Sequence, residues 1–598
     1  MTQKDQDTST QQAEVQTTIP TNIFADVLTQ SPSLIPASTP DRFSTHQVLN
    51  QAKPATGFNA FTQDAVINAA IEREAPWAHE RCAALGLAIG DEAVQELARL
   101  ANKHLPELKT HDRYGNRIDW VEFHPSWHVL MSLAWKHEVP NLSWRSDQQH
   151  SHYARAVLSY LWNQVEQGTG CPTGMAYAAY AGFEREPALR IWAEKSLGTE
   201  YQFNRNEVAH KNSVVIGYAM TEKQGGSDLR QTQTTAVFSH SEDYHGATAD
   251  WYELTGHKWF CSVPQADGFF TLAKVDGEVT CFFLPRTMPD GRFNRFFIQR
   301  LKDKAGNLSN ASSEVEYSGT MAIRVGDVGR GLREILSHSH LTRLDFAVGS
   351  AGLMRQSLTL AINHCHTRAG FGDGLAKQPM MANVLADLAI EVEATTLMAL
   401  RIAKATDYLD SDEQERAFAR VTTPMAKYFN CSRAPAVANE ALQCHGGNGF
   451  ILEHPMARLF RESPLNSVWE GTANMMCMDV RRSLNRVEGC RDALFKEFED
   501  VQGMDSRFDA YLADLPALVD AMMEDEFLAR PANDAIARAV QGAELLRYST
   551  SDVINGFMET RIGGAGNNRW GTMFGSLGTG VSKAQADRIV ERATVTNL

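Results

Sequence analysis

Residues 213–232 read SVVIGYAMTEKQGGSDLRQT, and within them the chain changes its period. A run of β-branched and aromatic residues, SVVIGYAM, stops at a turn through Gly225-Gly226, where small side chains leave backbone N–H groups open. Before it, from Phe58 to about Lys211, apolar residues recur at helical spacing, as Val94, Leu97 and Leu100 do in DEAVQELARLA. After it, WYELTGHKWF, GFFTLAKV and VTCFFLP are further short runs, and Asp276-Gly277 in AKVDGEVTCF is a favoured two-residue hairpin turn. Helical spacing returns beyond Gly331: in MANVLADLAIEVEATTLMALRIA, Val384, Leu385, Leu388, Val392 and Leu400 share one face. This order of helices, strands and helices predicts an α+β fold rather than an alternating α/β one.

Residues 1–52, rich in Gln, Thr, Ser and Pro, read as a disordered tail. Residues 53–212 read as an N-terminal helical domain, 213–326 as a central β domain and 327–486 as a helical bundle. Residues 487–598 form a helical C-terminal extension that turns glycine-rich in RIGGAGNNRWGTMFGSLGTG.

A chain of 598 residues is long enough for about three or four domains. Its net charge of -15 disfavours a diffuse grip on phosphate backbones. The nine cysteines stand singly with no C-x-x-C pair, which predicts free thiols in a reducing compartment and no metal site. The N-terminus shows no basic segment leading into an apolar one, and no 18-residue apolar run occurs, so a cytoplasmic protein without membrane spans is expected.

The sequence has no G-x-G-x-x-G after a strand, no P-loop and no G-x-S-x-G, which argues against a Rossmann site, a phosphate loop or a hydrolase elbow. The histidines of HSH (150–152) and HCH (364–366) are two apart and point to different helix faces. In MTEKQGGSD (220–228), Thr221 and Ser227 offer hydroxyls to a polar planar ligand or to phosphates, or the glycines merely close a hairpin. QCHGGNGF (443–450) ends an apolar helix in a glycine cap, and RAGFG (368–372) ends another with a cation suited to the helix dipole or to a pyrophosphate. In NSVWEGTANMM (466–476), Glu470 is either a helix N-terminal acid or a carboxylate used in chemistry.

Taken in this order and at these separations, MTEKQGGSD, GHKWFCS, RAGFG, QCHGGNGF and WEGT resemble the acyl-CoA dehydrogenase flavoprotein family, over residues from about 60 to 485. FHPSWHVLM, RLKDKAGNLSNAS and NSVWEGTANMMCMDV, together with the long C-terminal extension, look like its AidB, or alkylation-response, branch.

The resemblance implies an N-terminal helical domain, a central β-barrel over 213–326 and a C-terminal four-helix bundle, assembled as a homotetramer with FAD at subunit contacts. Met220, Thr221 and Ser227 would line the flavin and substrate turn, with Phe260 and Ser262 in the flavin-ring slot, Phe260 standing where Trp is more usual. Arg368 and Phe371 would reach the FAD of a neighbouring subunit, and Gln443, Gly446 and Gly447 would run along its pyrophosphate. Trp469, Thr472 and Asn474 would contact the flavin beside the base.

That base would be Glu470, taking the α-proton of an acyl-CoA thioester while a hydride leaves the β-carbon for flavin N5, with Arg343 holding it in place. A desolvated carboxylate is a stronger base, which suits the role. Electron-transfer flavoprotein is a candidate electron acceptor. The branch also carries an alternative reading, a flavin-containing protein that binds double-stranded DNA and protects it from alkylation, with weak dehydrogenase activity. Arg481, Arg482 and Arg486 are then the first DNA contacts to consider, although residues 481–598 hold 14 Lys plus Arg against 18 Asp plus Glu.

Overall fold

The computed structural model of the protein describes residues 45–46, 48–563, 577 and 580–596. Most of the tail expected over 1–52, and the glycine-rich stretch beyond Gly563, lie outside the described residues.

Helices Ala65–Glu74, His79–Ile89, Glu92–Lys103, Pro125–Lys136, Ser151–Val165 and Gln167–Phe183 build the first layer. Asp64 caps the first of them at the Val66 N–H, 3.0 Å. The same carboxylate accepts the Tyr160 hydroxyl at 3.0 Å and pairs with Arg355 at 3.2 Å, so one cap also ties three helices together. A hairpin of β1 (Glu107–His111) and β2 (Arg117–Glu122) interrupts the helices where only helix was expected. Its strands are too short to overturn a helical periodicity, and its turn depends on Gly115 at φ 87°.

The central sheet has seven strands: β3 (Ile216–Ala219), β4 (Thr235–Tyr244), β5 (Ala247–Ser262), β6 (Gly268–Val275), β7 (Glu278–Pro285), β8 (Phe296–Leu301) and β9 (Ser312–Val325). Antiparallel pairings run β6–β7–β9–β5–β4, and the circuit returns to β6 through one parallel pair, Thr235 with Lys274. β3 lies parallel on β6, and β8 antiparallel on β9. The Asp276-Gly277 turn joins β6 to β7 as its residues predict, with φ 49° and 90°. Phe183 of the helical layer packs on Phe270 of β6 and Phe283 of β7, ring centroids 5.2 and 5.3 Å away, and so docks the sheet on the helices.

The bundle consists of α1 (Gly331–Thr367), α2 (Pro379–Thr406), α3 (Glu413–His445) and α4 (Ala473–Arg486). α1 is buried along most of its length, because the first layer, the sheet and the bundle all pack on it. The C-terminal extension lays α5 (Ala529–Tyr548) and α6 (Lys583–Ala593) on the outside of α2. Charge as well as apolar surface joins the two. Arg561 is buried in an ion pair with Asp387 and reaches Glu391 at 3.3 Å, while Arg592 pairs with Glu393 at 3.0 Å. No helix among the described residues is long and apolar enough to cross a membrane.

Candidate active site

Glu470 lies in the loop that enters α4, with Thr472 at the helix N-cap position. Its backbone is left-handed, φ 53°, and Gly471 follows at φ 102°. A non-glycine residue stays in that region only where its surroundings hold it. Here the surroundings are two cations. Lys427 of α3 donates to the Trp469 carbonyl at 2.7 Å and also to the Gly471 carbonyl. Arg343 of α1 donates to the Glu470 carbonyl at 3.2 Å. Three successive carbonyls are therefore capped by side-chain cations, and Arg343 is in turn anchored on Asp479 at 2.9 Å, which Arg420 also holds at 2.7 Å.

Lys427 is 0% exposed and makes no ion pair among the described residues, so burial pulls its ammonium down to about 8. Burial also pushes the Glu470 carboxyl above the usual carboxylate range, and Arg343, the Ser339 hydroxyl and Lys427 pull it part of the way back. The side chain itself remains half-buried, so the desolvation comes from the crowded protein around it. Tyr218, at the end of β3, has a buried phenol that burial and the nearby Glu470 carboxylate hold well above its ordinary range.

Trp469 stacks on Phe346 of α1 at 4.7 Å and donates its indole N–H to Asn466 at 3.1 Å; Asn466 donates to Ser350 at 3.0 Å. Phe346, Asn466 and Trp469 also border a small crevice of about 10 Å³, with Asn163, Gln167, Asn307 and Glu462 among its other walls.

The turn after β3 is fixed by a buried ion pair that its sequence did not announce. Glu222 accepts from Lys258 of β5 at 2.8 Å, from the Thr234 hydroxyl at 2.6 Å and from the Gln233 N–H at 2.7 Å. Desolvation raises the Glu222 carboxyl, but Lys258 and the other donors bring it down to about 2. The Trp259 N–H then donates to the Thr221 carbonyl at 2.8 Å, which brings Met220 and Thr221 beside Phe260 and Ser262. Gly226 closes against Thr221, whose Oγ1 lies 2.5 Å from where a Cβ would stand. Ser227 is exposed, Phe260 is 49% exposed, and Ser262 meets Ser312 across the sheet at 3.3 Å.

The remaining residues named from the sequence form a second group. Arg368 and Phe371 follow the end of α1; Gln443, Gly446 and Gly447 lie at the end of α3. Arg343 and Arg368 are 25 positions apart on the same helical run, or about 37 Å at 1.5 Å per residue. One chain does not bring the two groups together. Phe371 is 101% exposed, and a Cβ added at Gly446 or Gly447 would meet nothing within 4 Å. These open backbones, the bare Phe371 ring and the half-exposed Phe260 leave room for a large planar and anionic group.

Asn474 is exposed and accepts from Arg530 of α5 at 2.8 Å, and Thr472 is exposed. Of the arginines considered for DNA, Arg481 is engaged by the carbonyls of Met522 and Met523 at 2.8 and 2.7 Å, whereas Arg482 and Arg486 are exposed. Sequence reading missed Lys427, Tyr218 and the Glu222–Lys258 pair. Glu222 and Lys258 lie inside the quoted MTEKQGGSD and GHKWFCS, but Thr221 and Lys223 flank the one and His257 and Trp259 the other, so the local sequence does not mark either as buried.

Comparison with known proteins covers nearly the whole described chain. Residues 50–203 match the family model of the adaptive response protein AidB N-terminal domain, 217–320 that of the acyl-CoA dehydrogenase middle domain, and 329–485 that of its C-terminal domain. The putative acyl-CoA dehydrogenase AidB of Escherichia coli K12 is 38% identical over 531 residues, covering 88% of this chain and 96% of that one. Acyl-CoA dehydrogenase family member 11 of Caenorhabditis elegans is 26% identical, covering 84% and 80%. Two crystal structures share the fold. Caenorhabditis elegans ACDH-11 in complex with C11-CoA has a TM-score of 0.77 at 24% identity, covering 86% and 92%. A Bacillus anthracis acyl-CoA dehydrogenase complexed with FAD has a TM-score of 0.58 at 15% identity, covering 73% and 81%.

Proposed function

This chain belongs to the acyl-CoA dehydrogenase family, within its AidB branch, and on that premise we propose that it is an FAD-dependent oxidoreductase acting on a short or branched acyl-CoA thioester. The observation that carries the reading is Glu470: a desolvated carboxylate on a left-handed backbone whose carbonyls are capped by Lys427 and Arg343.

Glu470 removes the α-proton of the thioester. Its environment makes it a stronger base once substrate excludes water, and a positioned base contributes roughly 10² to 10⁴ in rate. Arg343 and Lys427 keep the loop from relaxing, and their charge keeps enough of the carboxyl ionised to act. Trp469, stacked on Phe346, would wall the acyl group beside the base.

FAD, when bound, supplies the acceptor for the β-hydride. Met220, Thr221, Ser227, Phe260 and Ser262 would hold its ring side, with Trp469, Thr472 and Asn474 near the base. Arg368, Phe371, Gln443, Gly446 and Gly447 would serve the FAD of a neighbouring subunit in a homotetramer, which accounts for the separation of the two groups along α1. An electron-transfer flavoprotein is the acceptor class that suits reoxidation.

The test is anaerobic titration of the yellow protein with a panel of acyl-CoAs, following flavin bleaching near 450 nm, beside Glu470→Gln. Rapid bleaching of the wild type by one thioester, slowed at least 100-fold in the variant, is the expected result. A flavin that no thioester bleaches would remove the dehydrogenase reading for that panel.

A further inference from the structure

Away from Glu470, the helix Glu92–Lys103, the C-terminal half of α1 and the segment from His445 to Arg461 enclose a second cavity, of about 500 Å³. Arg458 lines it and is 6% exposed; its Nη2 donates to the Val165 carbonyl at 2.8 Å, while its Nε has no partner among the described residues. The Nε of Arg461 on the same wall is also buried and unpartnered. His445 is 4% exposed and bonds the Ala441 carbonyl through Nδ1. Its ring lies between those of His364 and His454, centroids 4.7 Å away on each side. Burial holds all three imidazoles below their ordinary range, so they are neutral and do not repel the arginines. Leu308, Leu360 and Leu452 supply aliphatic wall.

The carboxylates of Glu166 and Glu462 lie near enough to act on Arg458, but the Nε–H groups of Arg458 and Arg461 still lack an acceptor, and a guanidinium N–H fork matches a carboxylate. The volume falls within the range of small-molecule sites. Of the other charges on the wall, Glu96 is paired with Arg99 at 2.7 Å, and Glu453, Lys53 and Lys103 complete the set, so the wall is net cationic and suits an anion. We propose that this cavity is a binding site for an amphiphilic monoanion, a fatty carboxylate whose head lies on Arg458 and Arg461 and whose alkyl body runs along the leucines. Glu470 and Arg343 do not line it, but His445 and Asn448 do, on either side of the Gly446-Gly447 pair given to FAD above, so competition with FAD is part of the test.

The full-length, FAD-saturated protein is titrated calorimetrically with dodecanoate and, separately, with dodecanol. Dodecanoate is expected to bind at least 10-fold more tightly than the alcohol, and about 10-fold more weakly in both Arg458→Met and Leu308→Trp, where the indole intrudes on the aliphatic wall. Glu470→Gln is expected to bind it as the wild type does. Equal binding of acid and alcohol, undiminished binding in Leu308→Trp, loss in Glu470→Gln, or displacement by added FAD would each overturn the assignment. Leu308→Trp decides the matter even if Arg458→Met does not fold.

Discussion

Glu470 and Lys427 act on one another across a backbone rather than through a side-chain bond. The raised carboxyl has a direct consequence for pH. A base works only when ionised, so the flavin reduction rate should climb with pH through a midpoint above the usual carboxylate range, which stopped-flow reduction at a series of pH values would read. Lys427→Gln keeps a donor for the carbonyls but removes the charge. The midpoint should then move to still higher pH and the rate at neutral pH fall by about 10-fold, a change of about 1.4 kcal/mol. An unmoved midpoint would mean that the ammonium serves only as a hydrogen-bond donor. Glu470 and Arg343 were legible because they fall within or match short motifs. Lys427 was not: it stands 42 and 44 residues from the carbonyls it holds, amid an apolar helix, and only the packing of α3 on the loop brings them together.

The turn after β3 shows the same logic for an element. Its glycines were visible in the sequence, and they do let Gly226 close on Thr221. What locks the turn is the buried Glu222–Lys258 pair, whose partners lie 36 residues apart, one in the turn and one on β5. Glu222→Gln would leave the ammonium buried without its partner, at about 3 to 5 kcal/mol of stability, measurable by chemical denaturation. The pH dependence has a definite sign. The folded Glu222 carboxyl lies near 2, below its unfolded value, so its stabilisation is present above the ordinary carboxylate range and is lost as pH falls toward 2. The hairpin of β1 and β2 is the counter-example, an element whose strands were too short to speak against the surrounding helical period.

For the whole molecule, the order of helices, sheet and bundle was plain from the change of period at residue 213 and its return after Gly331, since both periodicities follow from burying one face. How the extension joins the bundle was not, because it depends on long-range pairs such as Arg561 with Asp387 and Arg592 with Glu393. Deleting residues 487–598 should bare the outer face of α2 and strand its carboxylates. The truncated protein should therefore aggregate, as size-exclusion chromatography would show. Arg561→Met should instead lower the stability of the intact chain by about 3 to 5 kcal/mol in a single transition, since extension and bundle share that pair.

α1 also works as a ruler. It sets the distance and the rotational phase between Arg343, beside the proposed base, and Arg368, which the proposed assembly presents to its neighbour. One residue added between them would turn the far end by about 100° and advance it by 1.5 Å. Length variation among relatives should therefore collect in loops such as the one between β1 and β2 and be absent from this span, where a single slip would put two reaction centres out of phase at once.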